Sequence, residues 1–97
     1  MKNKEKVIQW GAEKGILMKA TPMSQAIKTL SEVEELLRSI NCNDPDEIKD
    51  AYGDILVTII LGAELSGLDI EDCLQSAYDV ISKRTGKMVN GTFVKDK

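Results

Sequence analysis

Twice in its first half the chain sets a helix-capping residue directly before a proline, at Thr21-Pro22 and at Asp44-Pro45. Each pair is a strong helix start. The capping oxygen takes an orphan backbone N–H, and proline at the first helical position has no N–H to leave unpaired. After the first start, Ile27, Leu30, Val33, Leu37 and Ile40 recur at spacings of three and four, so an amphipathic helix is expected from Pro22 to about Ile40. Asn41-Cys42-Asn43 is expected to end it. A second helix then runs from Pro45 to about Ser66, stopped by Gly67. So short a connection leaves two long helices little choice but an antiparallel αα-hairpin, centred on Lys28 to Leu61.

Each arm of that hairpin carries an acidic stripe. At about 100° per residue, Glu32 and Glu35 fall within roughly 60° of each other with Lys28 between them, and Glu47, Asp50 and Asp54 do the same on the other arm. Closing the hairpin about Cys42-Asn43 sets Glu35 near Asp50 or Ala51, and Glu32 near Asp54. At an interaxial distance of about 8–10 Å, carboxylates from both arms reach a shared ion. Facing carboxylates are costly without a counter-ion, and an all-oxygen set suits Mg²⁺ or Mn²⁺. The plain alternative for Glu32 and Glu35 is a solvated helix face, which is how Glu34, Glu64 and Glu71 read.

The rest of the chain is expected to be helical except at its end. Asn3 to about Met18 reads as a first helix, weakened by Gly11 and Gly15. Asp69 caps a last helix from Ile70 to about Thr85, with Asp72 three residues on as a variant capping box and Gly86 as its stop. Leu74, Ala77, Tyr78 and Ile81 would form its inner face. The tail from Lys87 to Lys97 holds Asn90-Gly91 between short apolar runs, the signal of a hairpin with a type I′ turn. The stretch ILVTIILGA, residues 55–63, is apolar nearly all round. Its β-branched residues suit a strand, but the caps at both ends favour helix. A helix apolar on every side must be covered on every side, which in a single domain of 97 residues points to an oligomer.

Several function classes drop out. With no histidine there is no imidazole acid–base chemistry, no Ser-His triad and no His-ligated zinc. A net charge of −3 argues against general nucleic-acid binding. The longest apolar run is too short to cross a bilayer, and MKNKEKVIQW lacks the apolar core of a secretory signal. Cys42 and Cys73 have no metal-ligand spacing and read as reduced thiols, so a cytoplasmic setting is expected.

Three ordered motifs bear a family resemblance: Glu32-Val33-Glu34-Glu35-Leu36, Asp50-Ala51-Tyr52-Gly53-Asp54-Ile55-Leu56 and Gly67-Leu68-Asp69-Ile70-Glu71-Asp72-Cys73. Together with VIQWGAEKGIL before them and KRTGKMVNGTFVKD after, they resemble the MazG-like all-α nucleoside triphosphate pyrophosphohydrolases, in particular small forms common in phages and their hosts. Two positions depart from the family's E-E-x-x-E and E-x-x-D pattern. Ser31 stands at the first glutamate of one and Ala51 at the glutamate of the other, which in the family is a metal ligand. Asp79 and Ser82 replace an Asn and a Lys often found in the last helix, while Arg84 is kept beside Lys83.

The resemblance implies a four-helix MazG-like bundle with a short C-terminal hairpin, assembled as a homodimer or homotetramer. It implies Mg²⁺ (or Mn²⁺) held by Glu32, Glu35, Asp54 and Asp50, with Glu47 the alternative for the gap at Ala51. It also implies hydrolysis of a nucleoside triphosphate to monophosphate and pyrophosphate, with Glu35 as the candidate base. Lys28, Arg84 and Lys87 become candidates for phosphate oxygens. Trp10, the sole tryptophan, reads first as core or interface and second as a stacking platform for a base. The alternatives from other classes are a non-catalytic, degenerate helical dimer, motivated by Ser31 and Ala51, and a helical adaptor that docks a partner protein through its apolar helix.

Overall fold

A computed structural model describes residues 1–96. Helices α1 (Lys4–Glu13), α2 (Ile16–Lys19), α3 (Pro22–Asn41), α4 (Pro45–Leu65) and α5 (Ile70–Ile81) are followed by a two-stranded antiparallel hairpin, β1 (Gly86–Val89) and β2 (Thr92–Lys95). Lys97, the last residue of the expected tail, lies outside the described residues.

Both expected helix starts are built as read. Thr21 Oγ1 accepts from the Ser24 N–H and Ser24 Oγ accepts from the Thr21 N–H, a reciprocal capping box ahead of α3. Asp44 caps α4 by accepting from the Glu47 N–H. Three residues join the two helices. Asn43 takes a left-handed conformation (φ 53°), and the Asn43 and Asp44 N–H groups return to the carbonyls of Ile40 and Ser39. That Schellman pattern caps α3 and reverses the chain at once, so α3 and α4 lie antiparallel.

The first helix departs from expectation. It breaks at Gly15, whose φ of 78° no ordinary helical residue adopts, and restarts as the single turn α2. Gly11, by contrast, stays helical because of what it touches. A Cβ there would come within 2.5 Å of Leu61 Cδ2, so the bare backbone of α1 is what lets it sit on α4. Leu61 is the one large side chain fully buried among the described residues, and Ala51 and Ile60 complete the core along α4.

Helix α5 also departs. It stops at Ile81 rather than near Thr85, because the C-terminal hairpin claims Thr85. The Thr85 hydroxyl donates to Asp96 at 2.8 Å, and the Asp96 N–H donates to the Thr85 carbonyl at 2.9 Å. Gly86 therefore opens β1 instead of stopping a helix, against Val94 and Phe93, where a side chain would collide. Asn90 and Gly91 both have positive φ, as the expected type I′ turn demands. Asp69 caps α5 through the Glu71 N–H, with no reciprocal bond from Asp72 among the described residues. It also accepts from the Lys4 ammonium at 2.9 Å, which ties α1 to the start of α5.

The largest difference concerns which faces are inside. Toward α4, α3 turns Gln25, Thr29, Glu32, Leu36 and Ser39, a mostly polar row. Of the stripe expected to make α3 amphipathic, Ile27, Leu30 and Leu37 are each 60% or more exposed and Ile40 is exposed as well, while Val33 alone is half-buried. Leu74, Tyr78 and Ile81 of α5, expected to form an inner face, are also exposed, and Leu56 and Ile59 leave one side of α4 uncovered. The chain exposes 7520 Å², against about 5,500 Å² for a compact monomer of its mass. Its radius of gyration is 15.7 Å, against about 12–13 Å for a compact chain of this length.

Candidate functional site

The register of the hairpin is visible in one hydrogen bond. Thr29 Oγ1 donates to Thr58 Oγ1 at 2.7 Å across α3 and α4, and Thr58 donates in turn to the Ile55 carbonyl. One turn nearer the loop on each helix lie Glu32 and Asp54. One further turn on lie Glu35 and the pair Asp50 and Ala51. Helical periodicity alone therefore carries both acidic stripes to the same level.

Between the arms is a cleft of about 330 Å³ lined by Lys28, Ser31, Glu32, Glu35, Ser39, Glu47, Asp50, Ala51 and Asp54. It thus gathers all five candidate carboxylates, Lys28 and both positions that depart from the motif. Ala51 is only 4% exposed and forms the floor. Ser39 is buried beside it, with its hydroxyl turned back to the Glu35 carbonyl.

Salt bridges hold two of the acids to their own helix. Glu32, whose side chain is largely enclosed, meets Lys28 at 3.2 Å, and the exposed Glu35 meets Arg38 at 2.6 Å. Both pairs are formed by partly exposed cations and are weak, of order 1 kcal/mol or less. As the side chains stand, no three Asp, Glu, Cys or His residues among those described are close enough to hold one ion. The chemistry of the donor set nonetheless fits a hard divalent cation. It is carboxylate and hydroxyl oxygen throughout, with no thiolate or imidazole in the cleft.

The other named residues fall elsewhere. Arg84 and Lys87 do not line this cleft. Arg84 sits in the turn after α5, and Lys87 in β1. Trp10 is 44% exposed, so it is not a core residue. It lines a second cavity that adjoins the cleft and shares Lys28, Glu32 and Asp54 with it. The polar row of Gln25, Thr29 and Ser39 was not among the residues singled out from sequence. Its signal was present as the 25, 29, 32, 36, 39 spacing, but a polar row on an amphipathic helix reads as its solvent side.

A family model described as the MazG nucleotide pyrophosphohydrolase domain matches residues 20–89, which takes in α3, α4, α5 and β1. A protein of Haemophilus phage HP1, described as an uncharacterized 18.2 kDa protein in the rep-hol intergenic region, is 34% identical over 61 residues. That alignment covers 63% of this chain and 37% of the phage protein, so the chain spans well under two thirds of its relative's length. No solved structure matches.

Proposed function

The chain belongs to the MazG nucleotide pyrophosphohydrolase domain family, and from that membership we propose that it hydrolyses a nucleoside triphosphate to nucleoside monophosphate and pyrophosphate. The observation that carries the reading is the convergence of Glu32, Glu35, Glu47, Asp50 and Asp54 on one cleft inside the matched region. Mg²⁺ or Mn²⁺ would be held there by Glu32, Glu35 and Asp54 with Asp50, Glu47 being the alternative fourth ligand. The chemistry an ion supplies at such a site is charge neutralisation of the triphosphate and acidification of a water.

The chain's own residues do the remainder. Lys28 lines the cleft with its side chain mostly exposed, and it draws phosphate oxygens into an otherwise acidic cleft. The walls of α3 and α4 align the triphosphate for in-line attack, and positioning of this kind is a large part of phosphoryl-transfer catalysis. Glu35 Oε accepts the proton of the attacking water once its salt bridge to Arg38 opens. The water oxygen bonds to phosphorus at the α–β anhydride, the P–O bond there breaks, and pyrophosphate leaves. Arg84 and Lys87 would meet phosphate only from another subunit or after movement of α5. The test is pyrophosphate release from a panel of NTPs and dNTPs with Mg²⁺ or Mn²⁺. Release that disappears in Glu32→Gln and Asp54→Asn supports the proposal, and no release from any nucleotide overturns it.

Assembly as a homodimer or homotetramer is part of the same proposal. The support is the uncovered apolar stripe of Ile27, Leu30 and Leu37, the open face of α5 and the excess exposed area. A cytoplasmic setting is proposed because nucleoside triphosphates are found there. No helix among the described residues is long and apolar enough to cross a membrane, and both cysteines are free.

A second reading is favoured by one observation. Ala51 forms the cleft floor where the family carries a ligating glutamate, and a helical dimer that had lost its chemistry would look the same there. Calorimetry separates the two. Mg²⁺ binding that is lost in Asp54→Asn supports the enzyme, and the absence of any Mg²⁺ binding supports the degenerate dimer.

A further inference from the structure

The cavity that adjoins the acidic cleft has a volume of about 490 Å³ and a mostly apolar wall of Trp10, Ile16, Val57 and Leu61. Gln25 interrupts that wall. It is only 8% exposed, and its stem packs over Gly62 of α4, where the bare backbone leaves it room. Its backbone N–H donates to the Thr21 carbonyl, and the residue lies inside helix α3. Its side-chain amide has no hydrogen-bond partner among the described residues. Nor is it one of the atoms sealed from solvent without a partner, so it opens onto the cavity. A buried amide with a free donor and a free acceptor beside an aromatic ring is a recognition group in search of a planar, polar-edged ligand.

Resting on the pyrophosphohydrolase reading, we infer that this cavity is the nucleobase subsite and that Gln25 reads the base edge while Trp10 stacks on its face. The two cavities share Lys28, Glu32 and Asp54, so a ligand with its phosphates in the acidic cleft extends its nucleoside directly into this one. The cavity volume falls within the ordinary range for small-ligand sites, about 300–1,000 Å³. Each nucleobase presents neighbouring donors and acceptors on its pairing edge, the pattern a glutamine amide meets with two hydrogen bonds. Gln25 is thus a specificity residue, placed one helical turn from Lys28 and two from Glu32 on the same helix.

Trp10 is the sole tryptophan, so its fluorescence reports on the subsite. The experiment titrates α,β-imido analogues of ATP, GTP, CTP and dTTP, and separately inorganic tripolyphosphate, into the full chain with Mg²⁺. Trp10 emission and calorimetric affinity are both followed. The analogues are expected to change Trp10 emission, and tripolyphosphate is expected to bind without doing so. Gln25→Met keeps the side chain's size but removes the amide. It should weaken the preferred analogue about tenfold, the order of one or two hydrogen bonds, and leave tripolyphosphate affinity unchanged. Gln25→Glu replaces the donor with an acceptor and should reorder the four bases. The inference is overturned if tripolyphosphate changes the emission as the nucleotides do, if both ligands weaken alike in Gln25→Met, or if neither ligand binds. The wild-type comparison stands even where a variant does not fold. Pyrophosphate release is scored in parallel. Base-dependent binding without release retains the subsite and sinks the hydrolase reading, whereas release with base-blind binding does the reverse.

Discussion

Ala51 and Gly11 are two positions where a small side chain decides what α4 can do. Ala51 lies at the bottom of the acidic cleft with almost no exposed surface. Ala51→Glu would restore the family's carboxylate there, in a place where an unpaired charge is costly. The expected outcome is a variant less stable than wild type in EDTA, by about 1–3 kcal/mol, but one that regains stability steeply as Mg²⁺ is added. Thermal denaturation with and without Mg²⁺ checks this, and a variant indifferent to Mg²⁺ counts against the cleft as a metal site. At Gly11 the partner is the fully buried Leu61 rather than solvent. Gly11→Ala should therefore destabilise the chain by about 1–3 kcal/mol in urea denaturation, although alanine is the better helix former. The residues of the acidic stripes were legible in sequence because helical spacing is arithmetic. The role of Gly11 was not, since a glycine in a helix looks the same whether it is a weakness or a docking point.

At the scale of elements, the helix starts were read correctly and the ends and faces less so. Capping is local. Thr21, Asp44 and Asp69 each act on an N–H two or three residues away, so their function is visible in the sequence itself. The end of α5 depends on Asp96 reaching back to Thr85, eleven residues earlier, which no local pattern announces. The clasp between α1 and α5 is equally non-local. Its hydrogen bond to Asp69 raises the Lys4 pKa above the ordinary lysine value, against a smaller opposing effect of desolvation. A raised lysine pKa contributes stability that is fully present below the unfolded value of about 10.4 and is lost as pH rises through the folded one. The stability difference between wild type and Lys4→Met should therefore be constant from neutral pH to about 10 and shrink above it. Denaturant melts across that range measure it, and a difference that persists unchanged to high pH would mean that Lys4 acts through packing alone.

For the whole molecule, the exposed stripe on α3 is the feature with most consequence. Ile27, Leu30 and Leu37 face away from α4 because the row that meets α4 is the one carrying Thr29 and Glu32. If a second copy covers that stripe, as the proposed assembly requires, light scattering on the wild type should give at least twice the 10.7 kDa chain mass. Leu30→Glu combined with Leu37→Glu should then move the mass toward that of one chain. A wild type that is monomeric at high concentration would remove the support for assembly. The sequence by itself determined the helical class, the hairpin turn, the level acidic stripes and the family, because caps, periodicity and ordered motifs are all properties of neighbouring residues. Only the tertiary structure decided that α3 presents its polar row to α4, that α1 breaks at Gly15 and rests on Leu61, and that an unpartnered Gln25 opens onto a cavity beside the acids. Those outcomes turn on which of two helix faces is buried, and that choice is made by residues far apart in the chain competing for the same small core.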